Sequence, residues 1–335
     1  MTPDDVRLGA AGQVTEPIVL AAISGGDLTE LAAEAGVGPD TIRAAVKRYR
    51  SAGRTALQDL EGTAWRQVDI TFTDRAGAER TAADVPAPAL AREIEAGTVT
   101  AWWFIRKGDW RLRIKPADPA DPYGCTEFLD ALLGELVAGG GVRAWRESNY
   151  EPETFAFGGP PAMTVAHNLF FADSRHLLAY LRGPHQQPIG RPELTMLMCS
   201  YLLRSAGLEW HEQGDVWSRV ASYRDGGFPE IIDHNFCLAV RRLITVDAGP
   251  ASSLARCGPL APIANWLVEF GQAGARLRTM TNHGSLGRGL RAVLSTHILF
   301  HWNRLGIPFA IQHRLATSAA YCILGVRSRQ PAIGE

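Results

Sequence analysis

The segment TAWWFIRKGDWRLRIKP, residues 100–116, reads as two strands joined by a tight turn. Gly108-Asp109 is a two-residue hairpin signal between alternating apolar runs. Upstream, WRQVDITF (65–72) alternates like a further strand, and Arg80 to Ala96 reads as helix, with prolines near its middle that split it. Downstream, Thr126 to Ala138 reads as an amphipathic helix stopped by Gly139-Gly140-Gly141, and VRAWRESNYE (142–151) as another strand. The order β-α-β-β-α-β is the ferredoxin-like arrangement.

The flanks of this unit differ from it. From Pro161 onward the chain reads as helical, with candidates at Met163–Arg182, Pro192–Gly207, Glu212–Tyr223, Asn235–Val246, Pro262–Ala275, Leu286–Gly306 and Pro308–Leu324. Before it, Pro17 to Ser24 reads as a short helix. Asp27 caps a second helix that ends at Gly36. Asp40 caps a third that ends at Gly53, with Arg43, Lys47, Arg48 and Arg50 on it. Two helices about a short Gly-containing turn make a helix-turn-helix pattern. The expected architecture is therefore α+β: a helix-turn-helix appendage over 1–62, and over 63–335 a ferredoxin-like half joined to a helical half.

Composition excludes several classes. Hydrophobic residues are 46% and charged residues 21% of the 335, ordinary for a globular protein. The net charge of −1 supplies no global field towards nucleic acid or membrane. No apolar run approaches the roughly 20 residues of a membrane-spanning helix. The MTPDD start carries no secretory signal, so the expected location is the cytoplasm. Cys125, Cys199, Cys237, Cys257 and Cys322 are dispersed without a C-x-x-C pair and read as reduced thiols. Of the 34 Lys and Arg, only Lys47, Lys107 and Lys115 are lysines, so most cations are guanidiniums, which suit bidentate carboxylate binding.

Candidate chemistry starts at the hairpin. Arg111 and Arg113 are two apart on a strand and point to one face, with Arg106 on the partner strand. A carboxylate-binding clamp and a solvated strand edge both fit this pattern. Glu151 and Glu153 follow on NYEPETFAFGG, as an acid/base pair or as partners for the arginines. Gly158-Gly159 then enters a helix, as a close-approach turn or as a plain linker. His297 and His301 stand at i, i+4, with Asn303 and Arg304 after them. No Glu follows His297, and no third ligand is nearby, so a general acid/base or a buried structural histidine is favoured over zinc. His167 and His176 read as packing or surface residues. No P-loop, dinucleotide fingerprint or nucleophile elbow is present.

Four segments in order, WWFIRKGDWRLRIKP, YEPETFAFGG with MTVAHNLFFADS, the helical stretch between, and RGLRAVLSTHILFHWNRLG, resemble one family. It is the C-terminal elimination domain of class I lanthipeptide dehydratases, in the stand-alone form called thiopeptide-type bacteriocin biosynthesis protein. The resemblance runs from about Trp65 to Leu324. It implies chemistry on a ribosomal precursor peptide. A partner enzyme glutamylates Ser or Thr with glutamyl-tRNA, and the elimination domain removes glutamate to leave dehydroalanine or dehydrobutyrine. It assigns catalytic roles to Arg111 and Arg113 of the R-L-R strand, to Glu153 before the glycine pair, and to His301 before N-R-L. Arg106, Glu151 and Arg304 join these as substrate-binding candidates. No metal or organic cofactor is implied.

One departure stands out. The family's R-Y-G-G is Ala156-Phe157-Gly158-Gly159 here, so its Arg is absent, and Arg106 or Arg304 is the expected substitute. Thiopeptide pyridine synthases share the fold and join two dehydroalanines in a formal [4+2] cycloaddition with leader release. They need no glutamate clamp and form the second reading. A non-catalytic leader-binding subunit is the third. A DNA-binding regulator is the least favoured, and salt-sensitive binding of duplex DNA is its test.

Overall fold

The computed structural model describes residues 14–63, 65–118, 122–183, 189–227 and 233–325. The chain divides into two compact units, residues 1–63 and 64–335. In the first, α1 (Glu16–Ile23), α2 (Leu28–Ala35) and α3 (Pro39–Thr63) enclose Ala32, Ala35 and Ile42. Asp27 caps α2 by accepting from the backbone N–H of Thr29 and Glu30. Gly36 closes the helix in the left-handed region. The third helix does not stop at Gly53 as expected but runs on to Thr63. An exposed mid-helix glycine costs about 1 kcal/mol, too little to end a helix without a breaker beside it.

The second unit begins with β1 (Arg66–Phe72). Then come α4 (Ala78–Asp84), α5 (Pro86–Ala96), β2 (Val99–Lys107), β3 (Asp109–Pro116), α6 (Pro122–Ala138) and β4 (Val142–Ser148). Pro86 at the first turn of α5 divides the expected Arg80–Ala96 helix. The four strands are antiparallel in the order β2-β3-β1-β4, the ferredoxin-like order. Alternation then decides what each face carries. Val68, Ile70, Trp102, Phe104, Leu112 and Ile114 enter the main core with alanines and leucines of α4 to α6. The opposite face presents Gln67, Asp69, Trp103, Ile105, Arg111 and Arg113, by the pairings Gln67 to Arg113, Asp69 to Arg111 and Trp103 to Arg113.

The helical half is α7 (Pro160–Arg182), α8 (Arg191–Ser205), α9 (Trp210–Tyr223), α10 (His234–Thr245), the single turn α11 (Ser253–Arg256), α12 (Ala264–Asn282), α13 (Leu290–Leu305) and α14 (Phe309–Leu324). The expected Pro262–Ala275 helix starts two residues later and extends to Asn282. The helices α7 and α13 pack against β2, an edge strand. They also occupy its free backbone groups: Phe104 N–H donates to Ser174 Oγ at 3.2 Å, and Arg304 Nε donates to the Phe104 carbonyl at 3.0 Å. The edge is thereby closed to further strand pairing. Among the described residues no helix is long and apolar enough to cross a membrane.

Candidate active site

The polar sheet face is covered in part by a second apolar cluster: Trp65, Trp103, Ile105, Phe157, Met163, Ala166, Phe170 and Phe300. Arg113 lies at its margin and is 7% exposed. Its guanidinium stands 4.1 Å from the Trp103 ring centroid and 4.4 Å from that of Tyr150. Its Nε donates to Gln67 Oε1 at 2.6 Å, while Nη1 is buried without a hydrogen-bond partner among the described residues. Burial pushes its pKa down to about 10, so it is cationic at neutral pH. The Arg111 and Glu153 charges both act on it.

Arg111 shares this face, with Nε 3.6 Å from Asp69 Oδ1. Arg146 Nη2 donates to Asp69 Oδ2 at 2.8 Å and Ser148 Oγ to Oδ1 at 3.1 Å. Glu153 is half exposed, 3.3 Å from Lys107 Nζ, and Glu151 is exposed on the same loop. Tyr150 Oη and His167 Nε2 are 2.8 Å apart, and both rings pack beside Trp65 and Trp103. Burial, then the Lys115 and Arg113 charges, lower the His167 pKa to about 3, so its imidazole is neutral. Burial also pushes the Tyr150 phenol well above its usual value. Tyr150 sits inside the quoted NYEPETF motif, yet its sequence carried no signal that it would meet His167.

The turn that follows is held by glycine. Gly158 and Gly159 have φ of +92° and +101°, and a Cβ on Gly158 would lie 2.6 Å from Leu286 Cδ1. Gly287 N–H donates to the Gly158 carbonyl at 2.7 Å, and Arg288 Nη1 donates to the Ala156 carbonyl at 3.1 Å. The guanidinium beside Ala156 is therefore that of Arg288.

Arg106 and Arg304, the expected substitutes, are elsewhere. The hairpin register pairs Arg106 with Trp110, which puts it on the face opposite Arg111 and Arg113. There it pairs with Glu79, which also binds Arg191, and Arg191 Nη1 donates to the Leu305 carbonyl at the end of α13. Burial would raise the Glu79 pKa, but the two guanidiniums outweigh it and hold the carboxyl at about 2.

His301 and Arg304 form a separate, closed centre. Both are at most 2% exposed and both bind Asp173 of α7. His301 Nδ1 is 2.9 Å from Asp173 Oδ2, and Trp266 Nε1 donates to Oδ1 at 2.9 Å. Burial alone would raise the Asp173 pKa; the His301 and Arg304 charges hold it below the usual carboxylate value. The ionised carboxylate accepts only, so His301 Nδ1 donates to it. Nε2 is buried without a hydrogen-bond partner among the described residues. The guanidinium of Arg304 lies 4.8 Å from the Phe170 centroid and 5.8 Å from that of Trp103, which links this centre to Arg113 through the indole. His297 packs on Phe157, and burial lowers its pKa to about 3. Among the described residues no His, Cys, Asp or Glu cluster could hold a metal ion.

The chain belongs to the lantibiotic biosynthesis dehydratase C-terminal family, whose model matches residues 65–321. A helix-turn-helix model matches residues 18–63. Solved structures of similar fold include the tRNA-dependent lantibiotic dehydratase MibB from Microbispora sp. 107891, at 17% identity and TM-score 0.60 over 79% of this chain. The match spans 28% of the MibB chain. TsrL matches at 16% identity and TM-score 0.54, over 79% of this chain and 95% of TsrL. TbtD, the pyridine synthase of thiomuracin biosynthesis, matches at 14% identity and TM-score 0.47, over 78% of this chain and 98% of TbtD. No curated protein sequence matches the chain.

Proposed function

We propose that this chain eliminates glutamate from glutamylated Ser or Thr of a ribosomal precursor peptide, giving dehydroalanine or dehydrobutyrine. The observation that carries the reading is Arg113, a buried guanidinium with one neutral partner and an unfilled donor. A charge so buried is retained where an anion completes it. A glutamyl carboxylate supplies that anion. Arg111, farther along the same face, extends the cationic surface for the carboxylate that forms as the Cβ–O bond breaks. In the reaction a base takes the Cα proton, a C=C bond forms, and the Cβ–O bond breaks as glutamate leaves with the ester oxygen. His301 Nε2 is the proposed proton acceptor, oriented by Asp173 through Nδ1. Glu153 is the second proton carrier, on the exposed side. The substrate comes from a glutamylating partner that uses glutamyl-tRNA, which places the reaction in the cytoplasm.

The pyridine synthase reading requires no glutamate clamp and leaves Arg113 without a role. Mass spectrometry of a glutamylated precursor peptide incubated with the protein tests the choice. Loss of glutamate with appearance of dehydro residues is the expected result. Persistence of every glutamyl group overturns it, and leader release from a dehydrated peptide then points to the synthase.

A further inference from the structure

A cavity of about 430 Å³ lies between α5 and α7, over β2. Alanines leave this space: Ala87 and Ala91 of α5 and Ala179 of α7 line it with nothing beyond Cβ. Trp102 and Phe171 line it with rings that meet edge to face, centroids 6.2 Å apart. The volume falls within the range of small-molecule sites, about 300–1,000 Å³. Along α7 the wall runs from Phe171 to Ala179, about 12 Å at 1.5 Å per residue. Three charged side chains complete the lining: Arg175 and Arg182 of α7 and Glu95 of α5. Arg182 Nε lies 3.8 Å from Asp84 Oδ1. Arg175 stands 5.6 Å from the Phe171 ring centroid. It forms no ion pair among the described residues, with Glu95 or any other carboxylate.

From this we infer that the cavity binds an amphiphilic monocarboxylate of the medium-chain fatty-acid type, its chain on Trp102 and Phe171 and its carboxylate at Arg175. The apolar lining selects the body of the ligand, because burying a hydrocarbon chain there removes both partners from water. The charges select its head. Arg175 is a guanidinium without a counter-ion at the side of the apolar lining, and a carboxylate matches its fork of donors. Two guanidiniums against one carboxylate leave the lining with a single net positive charge, which a monoanion neutralises. Glu95 at the same cavity repels a second negative charge. The site is separate from the candidate active site. The hairpin register pairs Trp102 with Ile114 and Trp103 with Arg113, so the cavity lies across the sheet from Arg113. The inference therefore stands or falls apart from the elimination reading.

The test is equilibrium dialysis of the full chain against radiolabelled decanoate, below its micellar concentration. Decyltrimethylammonium, with the same chain and the opposite charge, is the unlabelled competitor. Decanoate should saturate one site per chain, and the cation should compete at least tenfold more weakly than unlabelled decanoate. Arg175→Gln should weaken decanoate about tenfold, the loss of one charge-assisted contact, and remove the preference for the anion. Ala91→Phe and Ala179→Phe place a ring in the cavity and should each abolish saturable binding. Both alanines are exposed on helix surfaces, so these variants keep the fold, and circular dichroism checks this. Absence of saturable binding by the wild type overturns the proposal. So does binding that both cavity-filling variants retain, which would place the ligand elsewhere on the surface. Equal competition by the cation overturns the role given to Arg175 and with it the class of ligand.

Discussion

Two buried guanidiniums share the Trp103 indole and are held in opposite ways. Arg304 faces Asp173 and a backbone carbonyl, in a centre closed by His301 and Trp266. Arg113, on the sheet, has the neutral Gln67 as its hydrogen-bond partner among the described residues. The first charge is matched by the fold. The second forms no ion pair among the described residues, as its proposed role in holding a ligand anion requires. Substitutions at the two centres should therefore fail in different ways.

The largest effect is expected at Asp173. Asp173→Ala leaves Arg304 buried without its carboxylate, a loss of about 3–5 kcal/mol. Denaturant unfolding reads it directly, and a variant as stable as the wild type would show that the closed centre contributes nothing to the fold. Arg113→Met should behave in reverse. It removes an unmatched buried charge, so stability should change by no more than about 1 kcal/mol. Glutamate release should nevertheless fall by about 10²–10³-fold, the usual loss of a charge-stabilising donor. A destabilised but fully active Arg113→Met variant would reverse the assignment of the two centres.

His301 belongs by contact to the closed centre and by proposal to the reaction, so one substitution sharpens the comparison. Asn at this position retains an N–H that can reach Asp173 but lacks Nε2. His301→Asn is expected to keep the folded state, by unfolding midpoint, and to lower glutamate release about 10²-fold. If it folds and releases glutamate at the normal rate, His301 acts only in holding Asp173.

The sheet was legible because its signals are local. Period-two alternation in 65–72 and 100–116, the Gly108-Asp109 turn and the glycine stop after Ala138 each specify their own neighbourhood, and the strand order follows. Face assignment of Arg106 was not legible from its position in the hairpin alone, because it depends on register: pairing with Trp110 sends it to the Glu79 side. Asp173, in the LFFADS stretch, carries no signal in the sequence, since an aspartate on a helix has no local mark of burial. Its partners His301 and Arg304 are 128 and 131 residues away. Arg288 was likewise invisible as the cation at Ala156, 132 residues distant.

The smallest effect concerns the opposite sheet face, where Arg106, Glu79 and Arg191 join β2, α4 and α8. The Glu79 carboxyl has a folded pKa near 2, against an ordinary value of 4.5. Its pKa is depressed on folding, so the stability it supplies is fully present above about pH 4.5 and lost as pH falls through about 2. That contribution is on the order of 2 kcal/mol. Glu79→Gln should lower stability at neutral pH and flatten the acid limb of the unfolding curve between those pH values. Glutamate release at neutral pH should stay unchanged, because Glu79 and Arg106 lie on the face turned away from Arg113. A variant that retained the full acid limb would show that other carboxyls govern it, and one that lost glutamate release would return Arg106 to the site.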